Sequence, residues 1–426
     1  MSTPADDAIR AEIALRGPIP FARFMALALG HPTGGYYTGP RERPTRGGDF
    51  LTAPELHPIF GAALARQLEE VWDRLGRPDP FTLVEYGAGA GTLALAILAG
   101  LREDRSPLAE ALVYAPIELN THRRAELEER TASAGLPLVA PPTGAARRAG
   151  VAPPAGAAPV AGAVVANEFL DALPVHAVEI RDGRPREVHV GVTARGAFTE
   201  LLLPPSTPAI AARLDALAAA GVTLAEGQRA ELCLAIEGWV ADVAATLSAG
   251  IVMVIDYGAP APELYGPRRR GGTLMTYRDH AADGSPDAPY RDIGERDITA
   301  HVDTTTLARL LDAAGFEILG DTTQAELLVG CGLEELLERE RNRSADAAAL
   351  LLLRSAVMRL LDPRHLGGFR AVLAGRGVSS APPLRGLTYR VATGRLTSVA
   401  GSPPRSRDEW TAATAGTAAA SPERSC

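Results

Sequence analysis

Lysine is missing from this sequence: all 43 basic residues are arginine. Its absence excludes Schiff-base catalysis, a P-loop lysine and the lysine of a kinase fold. It excludes little else, because arginine supplies positive charge equally well. Cysteine is nearly as scarce. Cys233, Cys331 and Cys426 lie far apart, so neither a disulfide framework nor a zinc site follows. The eight histidines are scattered without the spacing of a metal-ligand pair, and no metal is expected. Long apolar runs are lacking too. Stretches such as Ala347–Leu353 fall far short of a membrane span, and Asp6, Asp7 and Arg10 precede any apolar run, against a signal peptide. The expectation is a cytoplasmic protein without membrane contact. An excess of positive charge is also wanting: the formal net charge is −8, which sets nucleic acid aside as a partner.

What is present is ordinary globular composition over 426 residues, 46% hydrophobic and 22% charged. That length suits one large α/β domain with insertions, or two domains. Apolar positions at helical spacing predict two helices within residues 8–30, broken at Gly17-Pro18. Thr52 and Glu55 have capping-box spacing, with Pro54 in the first turn, ahead of an apolar stripe running from Leu56 to Leu75. An α/β rhythm follows. Strands are predicted at Phe81–Tyr86, Leu112–Leu119, Leu136–Ala140, Ala163–Ala166 and Ile251–Ile255, apolar without alternation as in buried parallel sheets. Helices are expected at Thr92–Leu101 and Arg123–Ala134. Residues 177–204 alternate and carry Asp182-Gly183 and Arg195-Gly196 turns, predicting an inserted antiparallel meander. Residues 258–300 are rich in Gly, Pro, Asp and Arg and read as a long excursion over the sheet's carboxyl edge. Further on come a helix at Thr304–Ala314, a strand at Phe316–Leu319, helix over Glu334–Leu361 and a last strand at Phe369–Leu373. Residues 141–162 read as a flexible loop and 376–426 as a disordered tail.

Chemistry concentrates at the ends of these strands. Val84-Glu85-Tyr86-Gly87-Ala88-Gly89-Ala90-Gly91-Thr92 lies between a buried strand and a helix. Its Gly-x-Gly-x-Gly spacing is tighter than the dinucleotide fingerprint and suits the amino-acid part of S-adenosylmethionine; otherwise it is a turn with packing glycines. Glu118, ending the next strand beside Leu119, is placed to accept both ribose hydroxyls. Asn167, Glu168 and Asp171 follow the fourth strand and face the cleft. The alternative for them is a helix start with Asn167 as cap. Asp256 either meets substrate or caps a turn, and Arg268-Arg269-Arg270 either docks an acidic partner or is a solvated loop.

Taken in order, these motifs resemble the MidA family of S-adenosylmethionine-dependent methyltransferases, relatives of the mitochondrial complex I assembly arginine methyltransferase. The resemblance runs from about Gly17 to Gly375. It rests on Gly17-Pro18-Ile19, Gly34-Gly35-Tyr36-Tyr37, Gly48-Asp49-Phe50-Leu51-Thr52, the glycine turn, Asn167 to Pro174, Asp256-Tyr257-Gly258, Gly272-Thr273-Leu274 with Tyr277, and His301-Val302-Asp303. The chain departs from the family pattern at Ala53, Ala88, Asn120, Leu170 and Pro141 to Gly144. The resemblance implies a Rossmann-like, seven-stranded class I methyltransferase sheet with an N-terminal helical segment, an inserted β-meander and helical insertions. Expected boundaries are a helical and lid segment at 1–60, the methyltransferase domain at 61–375 with insertions about 177–206, 258–300 and 331–361, and the tail at 376–426. By resemblance, S-adenosylmethionine is held by Glu85, Gly87, Ala88, Gly89, Gly91, Glu118, Leu119 and Asn167, with Gly48, Asp49 and Thr52 over it. Glu168, Asp171 and Asn167 would serve the acceptor, a protein arginine. A small-molecule or peptide O- or N-methyltransferase stays open, as do a non-catalytic assembly protein that retains the fold, and a homodimer.

Overall fold

A computed structural model describes residues 2–39, 52–142, 144–145, 158–278, 281–343, 346–392 and 395–398. Its centre is a six-stranded sheet. The strands are β1 (Phe81–Tyr86), β2 (Leu112–Ile117), β3 (Val160–Asn167), β4 (Leu247–Asp256), β5 (Glu317–Thr323) and β6 (Arg370–Arg376). Their order is β2-β1-β3-β4-β6-β5, with β1 to β4 parallel and β6 antiparallel to both neighbours. Every residue of β1 is buried, as its apolar, non-alternating sequence predicts.

A seventh strand was expected at 136–140. That segment does lie beside β2, but it is reduced to one bridge between Tyr114 and Leu138, with hydrogen bonds of 2.8 Å on either side. Pro137, Pro141 and Pro142 donate no backbone hydrogen bonds, so the pairing cannot extend.

Helices cover both faces. On one lie α3 (Ile59–Arg74) and α4 (Thr92–Glu103), which cross at small residues: a Cβ on Gly61 would come within 2.4 Å of the Ala96 methyl. On the other, α6 (Ala235–Thr246) and α7 (Thr304–Ala313) bury Trp239, Leu307 and Leu311 against β3 and β4. Helix α5 (Thr121–Ala134) follows β2. The expected apolar stripe beginning at Leu56 is broken: Ala53–Leu56 forms a separate turn ahead of α3, and Thr52 sits at its cap without a side-chain hydrogen bond.

The inserted meander forms as predicted. Strands His176–Arg181, Arg184–Val192 and Phe198–Leu203 pair antiparallel, joined first by Asp182-Gly183 with both φ angles positive. Helices α1 (Pro4–Arg16) and α2 (Phe21–Gly30) pack on this sheet through Phe21, Phe24, Met25, Val188 and Val190. The excursion at 258–300 is more ordered than its composition suggests. It contains a three-stranded sheet of Met275–Arg278, Ala281–Asp283 and Asp297–Thr299. There Arg269 donates to His301 at 2.9 Å and Arg270 to the Glu226 carbonyl at 2.6 Å.

The helical stretch predicted at 334–361 is two helices, Leu333–Arg343 and Ala347–Leu361, and a further helix, Gln324–Gly330, went unread. The expected tail also begins ordered: Leu384 is buried, and the Arg385 and Gly386 amides donate to Glu70 and Gln67 of α3 at 2.9 Å each. A few apolar and backbone contacts suffice there, although the composition is poor in large apolar groups. The loop expected at 141–162 lies largely outside the described residues.

Candidate functional site

The site is built where β1, β2, β3 and β4 end. After Tyr86 the chain turns through Gly87, Gly89 and Gly91, with φ of 72°, 54° and 75°. Side chains disfavour that region, which explains three glycines in five residues. Space is not the constraint at Gly89, where an added Cβ would meet only the Arg123 guanidinium, at 3.3 Å. The Gly89 amide donates to Glu118 Oε2 at 2.7 Å, and the Asn120 amide donates to Glu118 Oε1 at 2.7 Å. Glu118 is thus locked beside the turn by two backbone donors. Leu119 beside it is 55% exposed, an apolar surface next to a polar anchor. Ala88 is buried within the turn. Glu85 is buried beneath, taking the Tyr114 hydroxyl at 2.6 Å, and burial pushes its carboxyl up to about 8. It braces the turn from beneath.

Across the sheet, β3 ends in Asn167 and the next residue, Glu168, has φ of 49°. A left-handed glutamate is strained and persists only where its surroundings fix it. Here they do. The Glu168 amide donates to the Ile255 carbonyl at 2.8 Å. Asp256 Oδ2 then accepts from the Phe169, Leu170 and Asp171 amides at 2.9–3.2 Å, and Oδ1 from Tyr257. Of the two readings of Asp256, the turn cap is the one observed. The helix start weighed for Asn167, Glu168 and Asp171 is not, because the chain makes a tight turn here and Asp256 satisfies its amides.

This frame encloses acidic side chains beside one another. Glu168 Oε1 accepts from the Ala53 amide at 3.0 Å and from Asn167 Nδ2 at 3.1 Å. Among the described residues, Glu168 Oε2 and Asn167 Oδ1 are buried and have no hydrogen-bond partner. Asp171 is only 6% exposed and lies near Asp256, Asp297 and Tyr257. Burial, reinforced by Asp171 and Glu55, pushes the Glu168 carboxyl up to about 8. Burial, then Asp256 and Asp297, pushes Asp171 well above its ordinary value. Tyr37 donates to Asp297 at 2.9 Å, and Tyr277 lies in the field of Asp171, Asp297 and Glu168.

The two halves touch. Phe169 packs on Tyr86, with ring centroids 5.4 Å apart, and a Cβ on Gly87 would come within 3.2 Å of the Phe169 ring. Of the residues singled out in the sequence, Gly87, Ala88, Gly89, Gly91, Glu118, Leu119, Asn167, Glu168 and Asp171 gather here. Thr52 stands one residue from the Glu168 contact. Gly48 and Asp49 lie outside the described residues. Tyr37, Tyr257, Tyr277 and Asp297 were given no role from sequence. Tyr37, Tyr257 and Tyr277 lay in quoted motifs, whereas Asp297 was hidden in the excursion.

A parallel sheet of this order, with a glycine turn after its central strand and an acid after the next, defines a Rossmann-like nucleotide-binding protein of the class I methyltransferase type. The glycine turn and the anchored Glu118 fit an adenosyl cofactor. The comparisons agree. The chain belongs to the S-adenosyl-L-methionine-dependent methyltransferase family whose model matches residues 63–322. It resembles a crystal structure from Burkholderia thailandensis bound to S-adenosyl-homocysteine, with TM-score 0.76 and 32% identity over 90% of this chain and 94% of that one. Among curated proteins, it is 28% identical to the mitochondrial protein arginine methyltransferase NDUFAF7 homolog of Drosophila melanogaster, over 84% of this chain and 82% of that protein. It is 26% identical to the NDUFAF7 of Homo sapiens, over 84% and 79%. The chain is therefore a methyltransferase that uses S-adenosylmethionine. The expectation of a cytoplasmic protein is corrected by these relatives, which are named as mitochondrial. Lack of a long apolar helix says nothing about compartment.

Proposed function

We propose that the chain methylates a guanidinium nitrogen of a protein arginine. One observation carries this reading: Asp171 and Asp297 are buried together beside the end of β3, and the half-buried Glu168 there keeps, among the described residues, a buried oxygen without a hydrogen-bond partner. Buried carboxylates call for a cation, and a planar guanidinium matches them through paired hydrogen bonds. The names of the curated relatives support the same acceptor.

Glu85, Gly87, Ala88, Gly89, Gly91, Glu118, Leu119, Thr52 and Asn167 would hold the cofactor; Gly48 and Asp49, expected to join them, lie outside the described residues. When bound, the cofactor's sulfonium supplies an activated methyl group. Glu168 and Asp171 orient the acceptor nitrogen and stabilise its positive charge. As that nitrogen gains the carbon it loses one proton. Glu168, raised toward neutral pH by burial, takes that proton.

Labelled S-adenosylmethionine offered to proteome and small-molecule extracts of a strain lacking this protein tests the reading. Acid hydrolysis should release the label as methylarginine. Label in small molecules alone, or on another residue, overturns it.

A further inference from the structure

We propose that Tyr37 and Asn120 are positioning residues that tie occupation of the cofactor pocket to the acceptor carboxylates. The inference rests on the acceptor reading above. It starts from a continuous hydrogen-bonded path. The Gly89 amide binds Glu118 Oε2 at 2.7 Å, and Glu118 Oε1 holds the Asn120 amide at 2.7 Å. Asn120 Nδ2 donates to the Tyr37 carbonyl at 2.9 Å, and the Tyr37 hydroxyl donates to both Asp297 oxygens at 2.9 Å. Asp297 lies in the electrostatic field of Asp171, and three residues on, the Ala300 amide donates to the Asp171 carbonyl at 3.0 Å. Five residues thus span from the ribose acid to the acceptor pocket, and each link uses a different group.

The arm that carries Tyr37 does not depend on this path for its place. Phe21, Phe24 and Met25 bury it against the meander. The path's ends are the parts of the site that ligands touch. When the cofactor's hydroxyls load Glu118, the Asn120 amide, the Tyr37 carbonyl and finally Asp297 lose freedom to reorient. The acceptor pocket is then ordered before the acceptor arrives. Asn120 also caps α5 through Oδ1, accepting from His122 and Arg123 at 3.0 and 3.2 Å. A serine there keeps a cap but removes the amide that reaches Tyr37.

Amide hydrogen exchange of the full chain, with and without saturating S-adenosylhomocysteine and with no acceptor present, tests this directly. In the unaltered protein the nucleoside should slow exchange at Ile298–Ala300 by about fivefold or more, although none of these residues lies in the glycine turn. Tyr37→Phe and Asn120→Ser should each bind S-adenosylhomocysteine within about threefold of normal yet lose that slowing. No slowing in the unaltered protein, or slowing that persists in either variant, overturns the proposal. Because no acceptor enters the experiment, its failure is distinct from failure to find methylarginine.

Discussion

The two halves of the site solve opposite problems. On the cofactor side, the half-buried acid is satisfied locally: Glu118 takes two backbone amides, and the positive φ angles fall on glycine. On the acceptor side, the positive φ falls on Glu168, its Oε2 is orphaned among the described residues, and the carboxyls of Asp171 and Glu55 raise its proton affinity further. The first half is prepared for the hydroxyls of a ligand at little cost. The second stores strain and carboxyls that burial holds toward their neutral form until a cation favours the anion. Asp256 makes the storage possible, since one buried carboxylate pins the whole turn through four amides. The contrast separates residues that bind from residues that react.

Glu168→Gln should show the largest effect. It keeps the shape and removes the charge. Methyl transfer in a single turnover should fall on the order of a hundredfold or more, with S-adenosylhomocysteine affinity within a few-fold. Intact turnover would erase the distinction between the halves and make the carboxylate structural. Gly89→Val should do the reverse. A valine at φ of 54° is strained, so cofactor affinity measured by calorimetry should fall by about thirtyfold. Because that strain is local, the variant should lose only about 1–2 kcal/mol of stability. Normal binding would remove the glycine turn from the cofactor site.

The cofactor half was the more legible in sequence, and the reason is physical. A glycine turn and a strand-end acid are local patterns about 30 residues apart, and parallel pairing of β1 with β2 brings them together. Glu168 and Asp171 could also be found, since they follow β3 directly. What stayed ambiguous was their role, because Asn167 starts a helix as plausibly as a turn until Asp256, a neighbour through strand pairing, is placed. Asp297 was illegible. It reaches the site through a three-stranded excursion whose strands have three or four residues each, too short for a periodicity to register. The same limit hid the ordered segment around Leu384, which is fixed by contacts with α3 rather than by its own composition.

The smallest effect expected is on stability against pH, and it sharpens the comparison because it requires no ligand. Burial raises Glu168 from 4.5 to about 8 in the folded chain. Over that interval the folded protein binds more protons than the unfolded one. Stability should therefore fall as pH rises from about 4.5 toward 8, with the neutral acid favoured at the low end and the buried anion resisted at the high end. The loss from this one group should be on the order of 2 kcal/mol, less than the full shift implies, since a site open to solvent relaxes. Glu85, beneath the cofactor half, is raised to about 8 as well and contributes in the same direction. Glu168→Gln should thus flatten the melting-temperature profile between pH 5 and 8 in part, and Glu85→Gln should remove a separate share. Adding a guanidinium ligand should flatten only the Glu168 share, because a cation there favours the anion, whereas Glu85 is enclosed with Tyr114 and out of its reach. A Glu168→Gln profile that parallels the unaltered protein would mean that the acceptor carboxylate is already neutralised, and the contrast between the halves would fail at its most sensitive point.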